Sequence, residues 1–334
     1  MAGFYAYIAD FEKSAQFGKQ ILDLAKEIND VNMEVDGCLV YGYNLVFMGS
    51  LKKGLEYLEK GISKYDPDIQ DSHSFRFGNN QGVTSYTTSA LCLWMIGFPD
   101  RALKLAGAAI SLANKLNHPF NVAYALFHTG LLHLWRQEID IVLERSTALL
   151  DIAEKHGFPI WKAVATCMHG SALSSIGQAD NGLVEFKRGI DMYSELRTPP
   201  VFWPILLVLQ AGTYIQSRQL EKGLELIDQA LGTIGQDSSS PLLAEILKIK
   251  GDVLILVSPD DHTAAESLFT KALDISKKQE TLMFELHAAM SLNRLWKQTG
   301  KMQKGQQLLR ETYEKFTEGF TIVDLIEAKK MLAD

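Results

Sequence analysis

Small and apolar residues recur along the chain at helical spacing, interrupted by short polar turns. Aligned on the small residue after each turn, six segments match: "GKQILDLA", "GLEYLEKG", "ALKLAGAA", "GLVEFKRG", "GLELIDQA" and "AESLFTKA". Each carries Gly or Ala at its first and eighth positions: Gly18/Ala25, Gly54/Gly61, Ala102/Ala109, Gly182/Gly189, Gly223/Ala230 and Ala265/Ala272. Weaker copies at Val142/Leu149 and Gly305/Thr312 complete the series. A separation of seven keeps both residues on one helix face, where the lack of bulk admits a neighbouring helix. The first positions (18, 54, 102, 142, 182, 223, 265 and 305) recur with a period near 40 and one insertion of about eight residues.

Twelve residues before these positions stand Ala6, Gly42, Ala90, Gly130, Gly170, Ala211, Val253 and Asn293, six of them again small. The pattern predicts about eight helix–turn–helix units whose two helices touch at the small residues. The turns "MGSLKKG", "IGFPDRA", "IGQADNG" and "TGKMQKG" place Gly49, Gly97, Gly177 and Gly300 where a first helix ends. Pro99 suits the first turn of the helix that follows. A glycine at such a mouth could also cradle a phosphate, but no G-x-x-x-x-G-K-[ST] occurs in the chain. The expected fold is therefore all-α, a single right-handed superhelical solenoid over residues 1–334. A long inter-repeat loop is expected at about 66–81, in "YDPDIQDSHSFRFGNNQG", and a C-terminal capping helix at about 321–333.

Composition narrows the function classes. Of the 334 residues 47% are hydrophobic and 22% charged, which suits a chain with a sizeable core and argues against disorder. A net charge of −7 argues against a general nucleic-acid binder. The longest apolar run, "VFWPILLVL", is far shorter than the ~20 residues of a membrane span. The N-terminus "MAGFYAYIADFEK" has no basic region of a signal peptide, so a cytoplasmic location is expected. Cys38, Cys92 and Cys167 lie apart in apolar helical contexts and are read as reduced core residues.

No catalytic constellation stands out. His128 and His133 are five apart, unlike the i, i+4 spacing of a helical metal pair. "SPDDH" (258–262) sits before a second helix, where Asp260 or Asp261 serves as a cap. No serine has a G-x-S-x-G context and no cysteine a convincing histidine partner. The expectation is a non-enzyme without cofactor or metal.

The small–x11–small–x6–small pattern resembles tetratricopeptide repeats, although its period exceeds their usual length. "KGDVLILVSPDDHTAAESLFTKALDISKKQETLMFELHAAMSLNRLWKQTGK" (250–301) and "TEGFTIVDLIEAKKML" resemble the C-terminal repeat array of bacterial adenylate/guanylate cyclase–STAND ATPase fusion proteins. "NHPFNVAYAL", "KHGFPIWKAVATCMHGSAL" and "LCLWMIGFPDRAL" resemble it as well, so the likeness spans almost the whole chain. Departures are His287 in "ELHAA", where that family commonly has Arg, and "NNQG" (79–82) in place of a "DPG" element. Neither a cyclase metal-binding aspartate motif nor a Walker lysine is present. The chain thus reads as the C-terminal piece of a larger protein or a free-standing relative of it, and Met1 beginning partway into a helix pair favours the former. By resemblance, it would be a protein- or peptide-binding regulatory or sensory arm, its upstream cyclase and ATPase domains being possible partners.

In tetratricopeptide arrays the first helix of each pair lines the concave face at fixed offsets from its small residue. Those offsets select Tyr43 and Phe47, then Leu91 and Trp94, then Tyr124, Phe127, Leu131 and Trp135, and finally Lys248, His287, Arg294 and Lys297. The expected groove is aromatic in its N-terminal half and basic near its C-terminal end, suited to an amphipathic or acid-tipped peptide. The competing expectations are that the aromatics fill an inner core, or that they enclose a small-molecule ligand in a closed pocket.

Overall fold

The computed structural model describes residues 1–67, 80–196, 200–235, 239–259 and 262–333, and among them every regular element is helical. The helices pair in chain order: α1 (Ala2–Tyr7) with α2 (Phe11–Ile28), α3 (Val31–Phe47) with α4 (Leu51–Lys64), α5 (Gln81–Met95) with α6 (Pro99–Leu116), and α7 (Pro119–Trp135) with α8 (Ile139–His156). The series continues with α9 (Pro159–Ser175) and α10 (Ala179–Glu195), α11 (Trp203–Gln216) and α12 (Leu220–Ile234), α13 (Leu243–Val257) and α14 (His262–Gln279), and α15 (Leu282–Gln298) and α16 (Met302–Tyr313). A final helix, α17 (Val323–Ala333), caps the last pair, and a 3-10 turn (Pro200–Phe202) leads into α11. Most of the loop expected over 66–81, and both aspartates of "SPDDH", lie outside the described residues.

Within each pair the two helices bury different amounts of surface. In α7 eleven of 17 residues are buried, whereas α8 buries only Val142, Ser146, Leu149 and Ala153 of its 18. The first helix is therefore an inner element covered on several sides, and the second is an outer element with one apolar stripe. The repeat positions sit where the two meet. Each backbone closes on the other at Gly170 and Gly182: a methyl group on Gly170 would stand 2.7 Å from the Gly182 carbonyl oxygen. Val142 and Leu149, the large residues of the weak copy, are just as completely buried. The repeat thus conserves position in the interface, with small side chains where the backbones come closest.

The turns follow one geometry. Gly49, Gly97, Gly177 and Gly300 have φ of +75°, +95°, +85° and +77°. At Gly97 the amide donates to Trp94 O and the next amide, of Phe98, donates back to Leu93 O, which ends the helix in a Schellman motif. Ala9, Gln137 and Arg218 adopt the same left-handed conformation at the equivalent turns without being glycine, which is why the sequence pattern showed only four of them.

The superhelix also closes on itself. Trp94 of α5 stacks edge-on against Phe284 of α15 with centroids 5.8 Å apart. One core cluster joins Leu39, Trp94 and Leu132 to Ala244, Phe284, Phe316 and Leu325. Further along the seam, the amides of Asp100 and Arg101 both donate to Glu318 at 2.9 Å, and the Gly319 amide donates to Asp100 at 2.9 Å. Lys52 pairs with Glu280 across it. An array in which each repeat touches only its neighbours is therefore not what this chain forms. Apolar side chains on the inner face of the early repeats are covered by late repeats and by the tail.

Two glycine-to-alanine changes within outer helices should have opposite signs. Gly107 of α6 is exposed and has open space where a Cβ would go, so Gly107→Ala should raise stability by about 0.5–1 kcal/mol. A methyl group on Gly182 would stand 2.6 Å from Ser174 N, so Gly182→Ala should lower stability by about 1–3 kcal/mol. Urea midpoints read both.

Candidate functional site

The inner helices line three adjacent cavities. A narrow pocket of about 110 Å³ lies between α1, α3, α5 and α7. It shares Tyr43, His128 and Phe202 with a wide apolar chamber of about 590 Å³, whose walls include Phe11, Phe47, Leu91 and Trp135. Trp135, Ile205 and Leu242 are in turn shared with a third chamber of about 370 Å³, bounded by α5, α7, α9, α11, α13, α15 and α17. They lie side by side along the inner face of the curl, separated by shared wall residues.

The first two compartments are hydrophobic with few polar groups. Tyr124 is buried and stacked on His128, centroids 4.0 Å apart. Burial brings the His128 pKa down to about 4, and its Nδ1 lies 2.9 Å from the Tyr124 carbonyl, so the imidazole is neutral. Among the described residues neither amide atom of Gln81, 3% exposed, has a hydrogen-bond partner, and Asn44 Oδ1 has none either although Asn44 Nδ2 donates to Ser14 at 2.8 Å.

The third chamber holds charge. His287 Nδ1 lies 2.9 Å from Glu245 and its Nε2 lies 3.4 Å from Asp324 of α17. Lys248 reaches Asp252 at 3.0 Å and Glu245 at 3.7 Å. Arg294 donates to Glu327 at 2.6 Å, Ser291 to Asp252 at 2.9 Å, and Gln137 to Asp324 at 3.1 Å. Burial works against a charged His287, but the carboxylates of Glu245 and Asp324 outweigh it and raise the pKa to about 10. Burial likewise disfavours ionised Glu245, yet His287 and Lys248 bring its pKa down to about 2. For Lys248, burial is outweighed by Glu245 and Asp252, and its pKa is raised.

The residues selected from sequence divide accordingly. Tyr43 and Phe47 line the wide chamber, and Trp135 lines both it and the charged one. Trp94 lines the charged chamber and Tyr124 the narrow pocket, both as buried side chains. Phe127 is core, packed on Phe202 and Trp161 with centroids at 5.1 and 5.9 Å. Lys248, His287 and Arg294 line the charged chamber, while Lys297 is exposed and outside the three linings. The expected basic character is corrected: each of the three lining cations faces a carboxylate of the protein itself. Glu245 and Asp252 escaped notice although, three residues before and four after Lys248, they share its helix face. Asp324 and Glu327 belong to the capping helix, which has no repeat register to count from.

Solved structures with this fold include a Rap protein complexed with Competence and Sporulation Factor, with a TM-score of 0.63 at 14% identity over 83% of this chain and 73% of that one. The APC/C hetero-tetramer Cut9-Hcn1 gives 0.54 at 13% identity, covering 86% of this chain and 48% of that one. The apo form of RapI gives 0.50 at 10% identity, covering 87% and 98%. At such identities the likeness is one of fold, a tetratricopeptide-like solenoid. No family model and no curated protein matches the chain. No helix among the described residues is long and apolar enough to cross a membrane, and no group of three or more His, Cys, Asp or Glu side chains among them is placed to hold a metal ion.

The charged chamber sets a pH window. His287 has a folded pKa above its ordinary 6.5, so its contribution is complete below 6.5 and is lost as pH rises toward about 10. Glu245 has a folded pKa below its ordinary 4.5, so its contribution is complete above 4.5 and is lost as pH falls toward about 2. The denaturation midpoint of the wild type should therefore exceed that of His287→Gln most near pH 6, with the gap narrowing toward pH 10. Parallel profiles for the two proteins over that range would show that His287 carries no such linkage.

Proposed function

We propose that the chain is a non-catalytic peptide-binding repeat module whose ligand lies in a channel running along the inner cavities. The observation that carries this reading is the adjacency of a wide aromatic chamber and a charged one, which share Trp135, Ile205 and Leu242 as wall residues. A segment of polypeptide places apolar side chains in the first and a polar group in the second, the division of labour that gives a peptide groove its affinity and its register. The Rap protein of similar fold was solved with Competence and Sporulation Factor bound, which supports the reading by analogy of architecture. The protein's own nucleophiles fit a non-catalytic role: burial pushes the Cys92 thiol up to about 12 and Cys167 higher still. As the regulatory arm of a signalling cyclase–ATPase, the role that the sequence resemblance implies, the module would report occupancy to neighbouring domains through a change in its closure contacts.

Panning a random peptide library against wild type and against Ile205→Trp tests this. Ile205 is half-buried and stands at the junction of the two chambers, so the indole should obstruct the channel and leave the outer helices untouched. Wild type should enrich a recurrent motif, and the variant should bind the enriched peptides at least about tenfold more weakly, a loss of about 1.4 kcal/mol. Equal binding by the two proteins, or no enrichment by wild type, would refute the channel as a peptide site.

A further inference from the structure

The charged chamber contains hydrogen-bonding capacity that the protein leaves unused. Trp94 is 1% exposed, lines the chamber, and its indole N–H has no partner among the described residues. Asp324 is 6% exposed and also lines the chamber. Its Oδ1 accepts from Gln137 and faces His287, whereas its Oδ2 accepts nothing among the described residues. A buried acceptor and a buried donor left open in one cavity are costly unless a ligand meets them.

The open oxygen gives the chemistry of that ligand. Three carboxylates, Glu245, Asp324 and Glu327, line the chamber with three cations, Lys248, His287 and Arg294, and Asp252 joins them only through Lys248. The lining charges balance, and the oxygen left open belongs to a carboxylate, which accepts hydrogen bonds and donates none. An anionic group at that oxygen would meet the Asp324 carboxylate at low local dielectric, where repulsion is strong. A cationic donor there forms a charge-assisted hydrogen bond. The aromatic lining favours it too: the half-buried Trp135, packed on Trp94 with centroids 5.0 Å apart, lines the chamber, and aromatic faces attract guanidinium and ammonium groups.

We propose that this chamber is a specificity pocket for a basic side chain of the bound peptide. Asp324, and Glu327 at the half-exposed edge, receive the cation's donors, and the Trp94 indole N–H donates to a carbonyl of the same ligand. The proposal rests on the channel being a peptide site and adds the selected residue class: arginine or lysine, the reverse of the acid-tipped ligand that the sequence suggests. It also gives binding a mechanical consequence. Asp324 stands on the tail helix α17 and Trp94 on α5, so a ligand that engages both fastens the two sides of the closure.

Calorimetric titration of the full chain with N-acetyl-arginine amide, its neutral isostere N-acetyl-citrulline amide, N-acetyl-glutamate amide and N-butylguanidine tests the proposal. The arginine compound should bind at least about tenfold more tightly than the citrulline one, and the glutamate compound should not bind. Glu327→Gln, at a half-exposed position, should weaken arginine binding severalfold and leave citrulline unchanged. Asp324→Asn should do the same more strongly, with thermal unfolding confirming that it is folded. Citrulline binding equal to arginine, tighter glutamate binding, or no binding of the arginine compound at tens of millimolar would overturn the proposal. N-butylguanidine keeps the single guanidinium charge and lacks the carbonyl, so N-butylguanidine binding the more tightly would overturn the peptide as the source of the cation. The small probes need only the chamber: arginine binding with a failed library refutes the channel reading alone, and an enriched library without arginine selectivity refutes this pocket alone.

Discussion

Across the centre of the curl, Trp94 of α5 meets Phe284 and His287 of α15, with centroids 5.8 and 6.0 Å apart. In an open array an inner helix is covered by its own outer helix and its sequence neighbours, and its concave face meets water. Here that face meets protein, so side chains expected in a groove become core. A charge on such a face has lost much of its water and persists only where partners replace it. His287 is the direct consequence: a largely buried imidazole whose pKa is raised because carboxylates stand at both of its nitrogens. The indole contact and the charge network are two results of one geometric fact.

The tail completes the closure by satisfying exposed helix termini. The first turn of α6 leaves backbone N–H groups without intrahelical acceptors, and the Glu318 carboxylate accepts from two of them. An anion at that end also meets the positive pole of the helix dipole. Asp100, within the same turn, accepts from Gly319 in return, so the two segments hold each other by reciprocal capping. That fixes where α17 begins, and with it the position of Asp324 on the chamber wall. Arg136 adds a further tie, donating to the Pro99 carbonyl at 3.0 Å.

The helix pairs, their number and the turns were legible in the sequence because each rests on local rules. Gly97 announces a left-handed residue and Pro99 a first helical turn within three positions of each other. Pairing between adjacent repeats was legible in principle as well. Glu245 precedes His287 by about one repeat period, so both face the same side of the inner layer. The closure was not legible. Whether the curl brings α15 back to α5 depends on the small rotation between successive pairs, accumulated over the array, and no single residue encodes it. Asp324 carries the same difficulty, since a capping helix follows no register. Gln137 and Arg218 escaped for a different reason: a non-glycine residue in the left-handed region costs about 1–2 kcal/mol, which the surrounding packing sustains without a trace in the sequence pattern.

Closure changes what a bound ligand could do to such a protein. In an open solenoid an occupant of the concave face alters stacking between neighbours, and the effect adds along the array by small increments. In this chain the cavities lie between elements that are remote in sequence. Trp135 and Leu242 wall both large chambers, and they belong to opposite sides of the seam. An occupant therefore acts on the contact between early and late repeats before it acts on any stacking interface. The stacking interfaces rest on continuous buried stripes such as Val142, Ser146, Leu149 and Ala153, while the seam combines an apolar cluster around Trp94 and Phe284 with single polar contacts at its margins, Gln137 with Asp324 and Lys52 with Glu280 among them. Surface ion pairs of the latter kind contribute little each. In the proposed peptide-binding module, a differential affinity of a few kcal/mol for the closed arrangement would be enough to shift an equilibrium between open and closed forms, and the seam is where that shift would act.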